Sequence, residues 1–425
     1  MDILYIGSRG PDVELLQEGL RRTGDLQMRP DGIYGMKTEG AVRRFQMRLG
    51  LSADGVAGDA TWLALRPWLV GYRRIRIMQG DTFWRLARRY GISVEAIRTA
   101  NPELVPEKLP IGGEVVVPFA FDVVPTDISF TYEVLLLCVE GITARYPAVR
   151  SGYFGQSVLG RRLPRLSLGY GPRRVFYNAA HHANEWITAP LLMRFAERYA
   201  AAAAFGFDIE GRSAQKLQAE VTLTVAPMVD PDGVDLVCGV FPPGSPEWMR
   251  AAVMNTPGIP FPAGWKANID GVDLNLQYPA LWERAKEIKF AAGFTRPGPR
   301  DYVGQAPLSA PEARAVYELS LAEDFDRTVS WHTQGQVIYW QFADYMPEGA
   351  EALGRRLSEV SGYALEQTPE ESAYAGYKDW FIQEYNRPGF TVEAGQGTNP
   401  LPLRDFERIW QENLGILTET LVFSE

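Results

Sequence analysis

The sequence predicts a multidomain chain. A small helical domain comes first, then a βααβ unit, then a large α/β domain with a mixed, largely parallel sheet flanked by helices. Three observations predict this. A length of 425 residues exceeds what one ordinary hydrophobic core organises. A D-G-x-x-G turn occurs twice near the start, as DGIYG at 31–35 and DGVAG at 54–58, and each copy leads into an amphipathic segment. Beyond residue 126, strand-like runs (RVFYNAA, AEVTLTVAPMV, RTVSWHT, QVIYWQF, GFTVEAG) alternate with helical ones (ITAPLLMRFAERYAAAAAF, APEARAVYELSLA, GAEALGRRLSEVSG). That alternation indicates a parallel sheet covered on both faces.

The first domain spans residues 1–70. Val13, Leu16 and Leu20 lie on one face of a helix that stops at Gly24, and Ala41, Val42, Phe45 and Leu49 repeat the three- and four-residue spacing in a second helix. In the two turns, glycine permits left-handed backbone and aspartate can accept from its own backbone two residues on. The second unit spans 73–118. RRIRIMQ alternates as a strand, Thr82 caps the helix FWRLARRYG, Ser93 caps a second helix, and LPIGGEVVVP returns as a strand. A linker at 118–125 leads into the third domain, 126–425. There, residues 239–300 are rich in Pro and Gly and are expected to be mostly loop, of the kind that often rims a substrate site.

Composition excludes several classes. A net charge of −9 argues against a general nucleic-acid or anionic-membrane binder. The arginines at 73, 74, 76, 85, 88 and 89 are therefore read as a solvated basic face, or one attracted to anionic wall polymers, rather than a nucleic-acid patch. No apolar run reaches the roughly 18–20 residues that span a bilayer, and the N-terminus shows no basic and apolar regions of a secretory signal. Cys138 and Cys238 lack ligand-like spacing and are expected to be reduced and buried.

The chemistry is concentrated in a few residues. Only three histidines occur, His181, His182 and His332. His182 and Glu185 form an H-x-x-E pair just after a strand-like run, and His332 ends another. Two imidazoles and a carboxylate with a fourth position open make a catalytic zinc ligand set. Glu393, at the end of the strand GFTVE and before glycines, qualifies as a general base for water. His181 is read as packing or support.

These motifs resemble known families. DGIYGMKTEGAVRRFQ resembles the peptidoglycan-binding domain of wall hydrolases, and GDTFWRLARRYG with IRTANP resembles a LysM module, which binds N-acetylglucosamine polymers. From about residue 128 onward, GQSVLGRRLPRLSLG, HHANEW, PMVDPDG, GVDLN, SWHTQ and FTVEAG resemble the zinc metallocarboxypeptidases in order and content. The resemblance implies one Zn2+ held by His182, Glu185 and His332, with Glu393 as base. It also implies Lys266, in Trp265-Lys266, as oxyanion stabiliser, Asn275 as a substrate-carboxylate contact, and Tyr374 or Tyr377 as a substrate-contacting tyrosine.

One departure narrows the reading. The family's exopeptidases follow that asparagine with an arginine, and this chain has Leu276. Leucine cannot grip a C-terminal carboxylate as a bidentate guanidinium does. Together with EAGQGTNPLPL and the N-terminal modules, this resembles the γ-D-glutamyl-L-diamino acid endopeptidase subgroup. The implied partners are peptidoglycan glycan strands and stem peptides, at the cell wall or spore cortex. C-terminal trimming of stem peptides, or non-catalytic murein binding, are the alternatives.

Overall fold

The computed structural model describes residues 2–422; the outermost residues of the first and third expected domains, 1 and 423–425, lie outside them. Its contacts divide the chain into two units, 1–129 with 133–150, and 130–132 with 151–425.

In the first unit, helices α1 (Pro11–Arg22), α2 (Met36–Arg48) and α3 (Asp59–Val70) form the bundle. Val13, Leu16, Leu20, Ala41, Val42 and Phe45 are buried as the spacing requires. Leu49 is a correction: it lies one residue past α2 and is exposed, because the helix ends before that position can turn inward. The sequence echo is a structural repeat. At the first turn, Gln17 accepts from the backbone N–H groups of Asp31 and Gly32 and donates to Asp31 Oδ1 and Thr38 Oγ1. At the second, Gln46 accepts from Gly55 N and donates to Asp54 Oδ1 and Thr61 Oγ1. Each aspartate also accepts from the backbone two residues on, Ile33 N at 3.0 Å and Val56 N at 2.9 Å. Gly32 and Gly55 hold left-handed φ of 67° and 74°. A buried glutamine from the preceding helix thus satisfies each turn.

The βααβ unit follows as β1 (Tyr72–Arg76), α4 (Phe83–Tyr90), α5 (Val94–Ala100) and β2 (Glu114–Pro118), the strands pairing antiparallel. Thr82 and Ser93 cap the helices as expected. Phe83, Leu86, Ile97, Val115 and Val117 form its core. Helix α6 (Tyr132–Arg145), expected within a domain starting at 126, groups with this first unit for nearly all its length.

The second unit is built on an eight-stranded mixed sheet. Its strands are β3 (Arg150–Gln156), β4 (Arg162–Leu168), β5 (Arg173–Ala179), β8 (Val221–Ala226), β9 (Arg327–His332), β10 (Val337–Tyr339), β11 (Ala364–Glu366) and β12 (Gly389–Glu393), with β6 (Asp208–Ile209) and β7 (Arg212–Ser213) in a separate hairpin. The spatial order is β11-β10-β12-β9-β5-β8-β4-β3. The central neighbours β8, β5, β9 and β12 run parallel, and β4 and β10 join this core antiparallel. Helices α7 (Thr188–Phe205), α8 (Ala214–Glu220), α9 (Pro231–Val237), α10 (Pro246–Ala252), α11 (Trp282–Ala291), α12 (Pro311–Glu323), α13 (Ala350–Ser361), α14 (Tyr377–Tyr385) and α15 (Phe406–Val422) complete the unit. The stretch 239–300 is less irregular than expected, since α10 and α11 lie within it. Trp282, Ala285 and Lys289 supply the buried face of α11. No disulfide joins Cys138 and Cys238; Cys138 is buried and Cys238 half-buried.

Candidate metal centre

Strands β5 and β9 are parallel neighbours at the centre of the sheet, so the chain leaving β5 and the last residue of β9 emerge together at the carboxyl ends of the strands. His182 is the cap of a single 3-10 turn, Ala183–Glu185. Side chains three apart eclipse in that geometry, so H-x-x-E presents both groups in one direction. His332 ends β9 and pairs in register with Glu393 at the end of β12. Neighbouring residues on parallel strands share a face, so the His332 imidazole and the Glu393 carboxylate point the same way.

The donor atoms of His182, Glu185 and His332 all lie within 4.8 Å of one another. His182 Nδ1 lies 2.9 Å from Glu185 Oε1, while His332 Nδ1 is 2.9 Å from Glu185 Oε2 and 3.1 Å from His182 Nδ1. All three residues are buried. The opposite nitrogen of His182, Nε2, bonds Asp273 Oδ1 at 3.0 Å. Proton placement on Nε2 leaves Nδ1 with a lone pair aimed at a carboxylate oxygen. Two lone pairs facing each other in a buried site repel unless a cation lies among them. The donor set therefore fits zinc, and the imidazole backed by a carboxylate is the usual support for such a ligand.

Burial and charge compete across the cluster. Burial pulls His182 down, but Glu185 and Asp273 outweigh it and raise its pKa. Burial opposes ionisation of Glu185, yet His182 and His332 hold it well below the usual carboxylate range. His332 is lowered, mainly by burial. Burial and the charge of Glu185 push Glu393 up to about 8. The Glu393 carboxylate makes no hydrogen bond among the described residues, and the residue lines a cavity of about 610 Å³ with His182, Glu185, Lys266 and Asn275.

The other expected residues divide. Lys266 reaches the cavity with Nζ 3.4 Å from Asp273 Oδ2. Asn275 Oδ1 accepts from Tyr377 N at 3.0 Å, which leaves its amide N–H groups for the cavity. Leu276 packs with Trp282, Ala285, Val303 and Ala375. Tyr377 is a correction: its side chain is fully buried, with its hydroxyl 2.8 Å from Ser320 Oγ and its ring against Phe176 and Trp380. The first turn of α14 aims it into the core. Tyr374 packs edge-on against Phe342 and does not line the cavity. The tyrosine that does is Tyr339 of β10. His181 bonds Tyr278 Oη at 3.0 Å and packs near His332, in keeping with a supporting place.

Sequence reasoning assigned no role to Asp273, although GVDLN was in view. This residue accepts from His182, pairs with Lys266 and accepts from Asp301 N. Nothing in the sequence marks a carboxylate 91 positions from His182 as its partner.

A buried His-Glu-His cluster with an unpartnered glutamate carboxylate beside it, at the carboxyl ends of the central strands of a mixed α/β sheet, is the site of a zinc metallopeptidase. The chain belongs to the zinc carboxypeptidase family, whose model matches residues 137–415. A peptidoglycan binding domain matches residues 9–65, and a LysM domain matches 75–118. Among relatives, gamma-D-glutamyl-L-diamino acid endopeptidase 1 of Lysinibacillus sphaericus is 43% identical over 288 residues, 68% of this chain and 71% of that protein. The spore cortex-lytic enzyme of Bacillus cereus is 39% identical over 59 residues, 14% of this chain and 23% of that protein. In fold, bovine thrombin-activatable fibrinolysis inhibitor, solved with tick carboxypeptidase inhibitor, superposes with a TM-score of 0.53 at 17% identity, over 68% of this chain and 95% of that one. No helix among the described residues is long and apolar enough to cross a membrane.

Proposed function

We propose that this chain hydrolyses the γ-D-glutamyl–L-diamino acid bond of peptidoglycan stem peptides, with meso-diaminopimelate or lysine as the diamino acid. The observation that carries the reading is Leu276, an apolar side chain packed among Trp282, Val303 and Ala375 where an exopeptidase of the family keeps a guanidinium. A wall without that cation does not hold a C-terminal carboxylate in the exopeptidase manner. The similarity to the endopeptidase of Lysinibacillus sphaericus supports the same reading.

His182, Glu185 and His332 would hold the zinc, and Asp273 orients His182 through Nε2. When bound, the metal supplies Lewis-acid polarisation of the scissile carbonyl and lowers the pKa of water. Glu393 takes the proton of the attacking water and delivers it to the leaving amine; among the described residues no hydrogen bond ties its carboxylate elsewhere. Lys266 stabilises the developing oxyanion, and Asp273 holds its ammonium in place. Asn275 donates its amide N–H to a substrate oxygen. The two N-terminal modules bind glycan strands and raise the enzyme's local concentration on the wall or spore cortex.

Mass spectrometry of digests of L-Ala-γ-D-Glu-meso-diaminopimelate-D-Ala tests the bond assignment. The expected products are L-Ala-D-Glu and the diaminopimelate dipeptide. Release of D-Ala alone would replace this reading with C-terminal trimming.

A further inference from the structure

Four side-chain cations line the cavity: Lys266, Lys289, Arg300 and Lys378. Three are committed. Lys266 faces Asp273, Lys289 donates to Asp301 Oδ1 at 2.7 Å, and Lys378 donates to Gln341 O at 2.7 Å and Asp379 Oδ1 at 2.6 Å. Arg300 is different. Its Nε donates to Asp301 Oδ2 at 2.7 Å, and that is the only hydrogen bond of its guanidinium among the described residues. Its side chain is 48% exposed, so the Nη1–Nη2 edge is open. An arginine held by Nε presents its two terminal groups as a fork matched to a planar carboxylate.

The backbone beneath this fork is fixed. Pro299 O accepts from Lys266 N at 2.8 Å and Ala267 N at 3.0 Å. Asp273 N donates to Tyr302 O at 2.9 Å, and Asp301 N donates to Asp273 Oδ2 at 3.3 Å. Arg300 therefore sits on a segment stitched to Lys266 on one side and to the residue backing His182 on the other.

We propose that Arg300 is a specificity-determining residue whose open edge binds a free carboxylate of the stem peptide beside the scissile bond, an anchor Leu276 cannot supply. This rests on the γ-glutamyl reading. Linkage through the γ-carboxyl leaves the α-carboxylate of D-glutamate free close to the scissile carbonyl. Diaminopimelate carries a second free carboxylate at the far end of its side chain, and the peptide terminus is a third. An ordinary internal α-peptide bond has none at these places.

The test compares the full-length, zinc-loaded wild type with Arg300→Gln and Arg300→Lys on the parent tetrapeptide and three analogues. One analogue carries D-isoglutamine, one carries L-lysine for diaminopimelate, and one is amidated at the C-terminus. Arg300→Gln is expected to lower kcat/KM on the parent by about 10- to 100-fold, mostly through KM, as loss of a charge-assisted bidentate contact does. On the single analogue lacking the contacted carboxylate the loss should vanish, which identifies its source, and Arg300→Lys should recover part of the activity. A loss below fivefold on the parent, or an equal loss on all four peptides, overturns the proposal. Calorimetric binding of the parent to Glu393→Gln, with and without Arg300→Gln, keeps the two readings apart. If the wild type releases only a C-terminal residue, the bond assignment fails, while unweakened binding in the double variant sinks the Arg300 assignment.

Discussion

Glu393 ends its strand with a carboxylate that accepts no hydrogen bond among the described residues, and its proposed role as base depends on that freedom. The Glu393→Gln variant is isosteric and removes only the proposed base. It should retain zinc by metal analysis and lose turnover by about 10²- to 10⁴-fold; near-native activity would remove Glu393 from the mechanism. At this scale the sequence was most legible where one residue type is nearly obligatory. Imidazole and carboxylate at H-x-x-E spacing, with a third histidine and no other to compete, left few alternatives. It was least legible where a role depends on neighbours distant in sequence. Asp273 serves His182, Lys266 and Asp301 at once, and no local pattern encodes that. Tyr377 misled because an aromatic near the expected place can face either way, and the first turn of α14 sends it inward to Ser320.

Among the elements, the strongly periodic ones were readable and the compromised ones were not. Strands β5, β8, β9 and β12 are apolar runs buried in the sheet, and their sequences say so. Helix α11 escaped notice because Pro and Gly crowd 239–300, and its buried face amounts to Trp282, Ala285 and Lys289. Glycine also marks close approach between elements. A Cβ on Gly171, just before β5, would run into the backbone of Glu220 and Val221 where β8 begins. Gly171 O also accepts from Thr222 Oγ1 at 2.7 Å, so the two strand starts are tied there. We expect Gly171→Ala to cost about 2–3 kcal/mol by denaturant unfolding, since backbone must shift to admit the methyl. An unchanged midpoint would show that the turn can move freely.

For the molecule as a whole, the feature with the largest reach is a set of buried carboxylates away from the cavity. Glu312 accepts from Val158 N at 2.9 Å and Asn268 Nδ2 at 3.2 Å, and burial pushes it from the ordinary 4.5 up to about 7. A raised carboxyl favours the folded state only while protonated. Its contribution is complete below about pH 4.5, is lost as pH rises through about 7, and is flat beyond. The loss attributable to Glu312 is on the order of 3 kcal/mol. Unfolding midpoints at pH 5, 6, 7 and 8 should show this decline as the difference between wild type and Glu312→Gln; parallel curves would place the proton elsewhere. The pairing of His332 with Glu393 on one rung of the neighbouring strands β9 and β12 bears on how such a molecule can diversify. The proposed reactive pair is set by the hydrogen-bond ladder, while Arg300, Asn275 and Leu276 sit outside the strands. Substitutions in those connections can exchange one substrate anchor for another with the reactive pair untouched. A slip of one rung would turn either member of the pair to the opposite face. New preferences are thus open to gradual change, whereas the hydrolytic step is kept whole or lost at once.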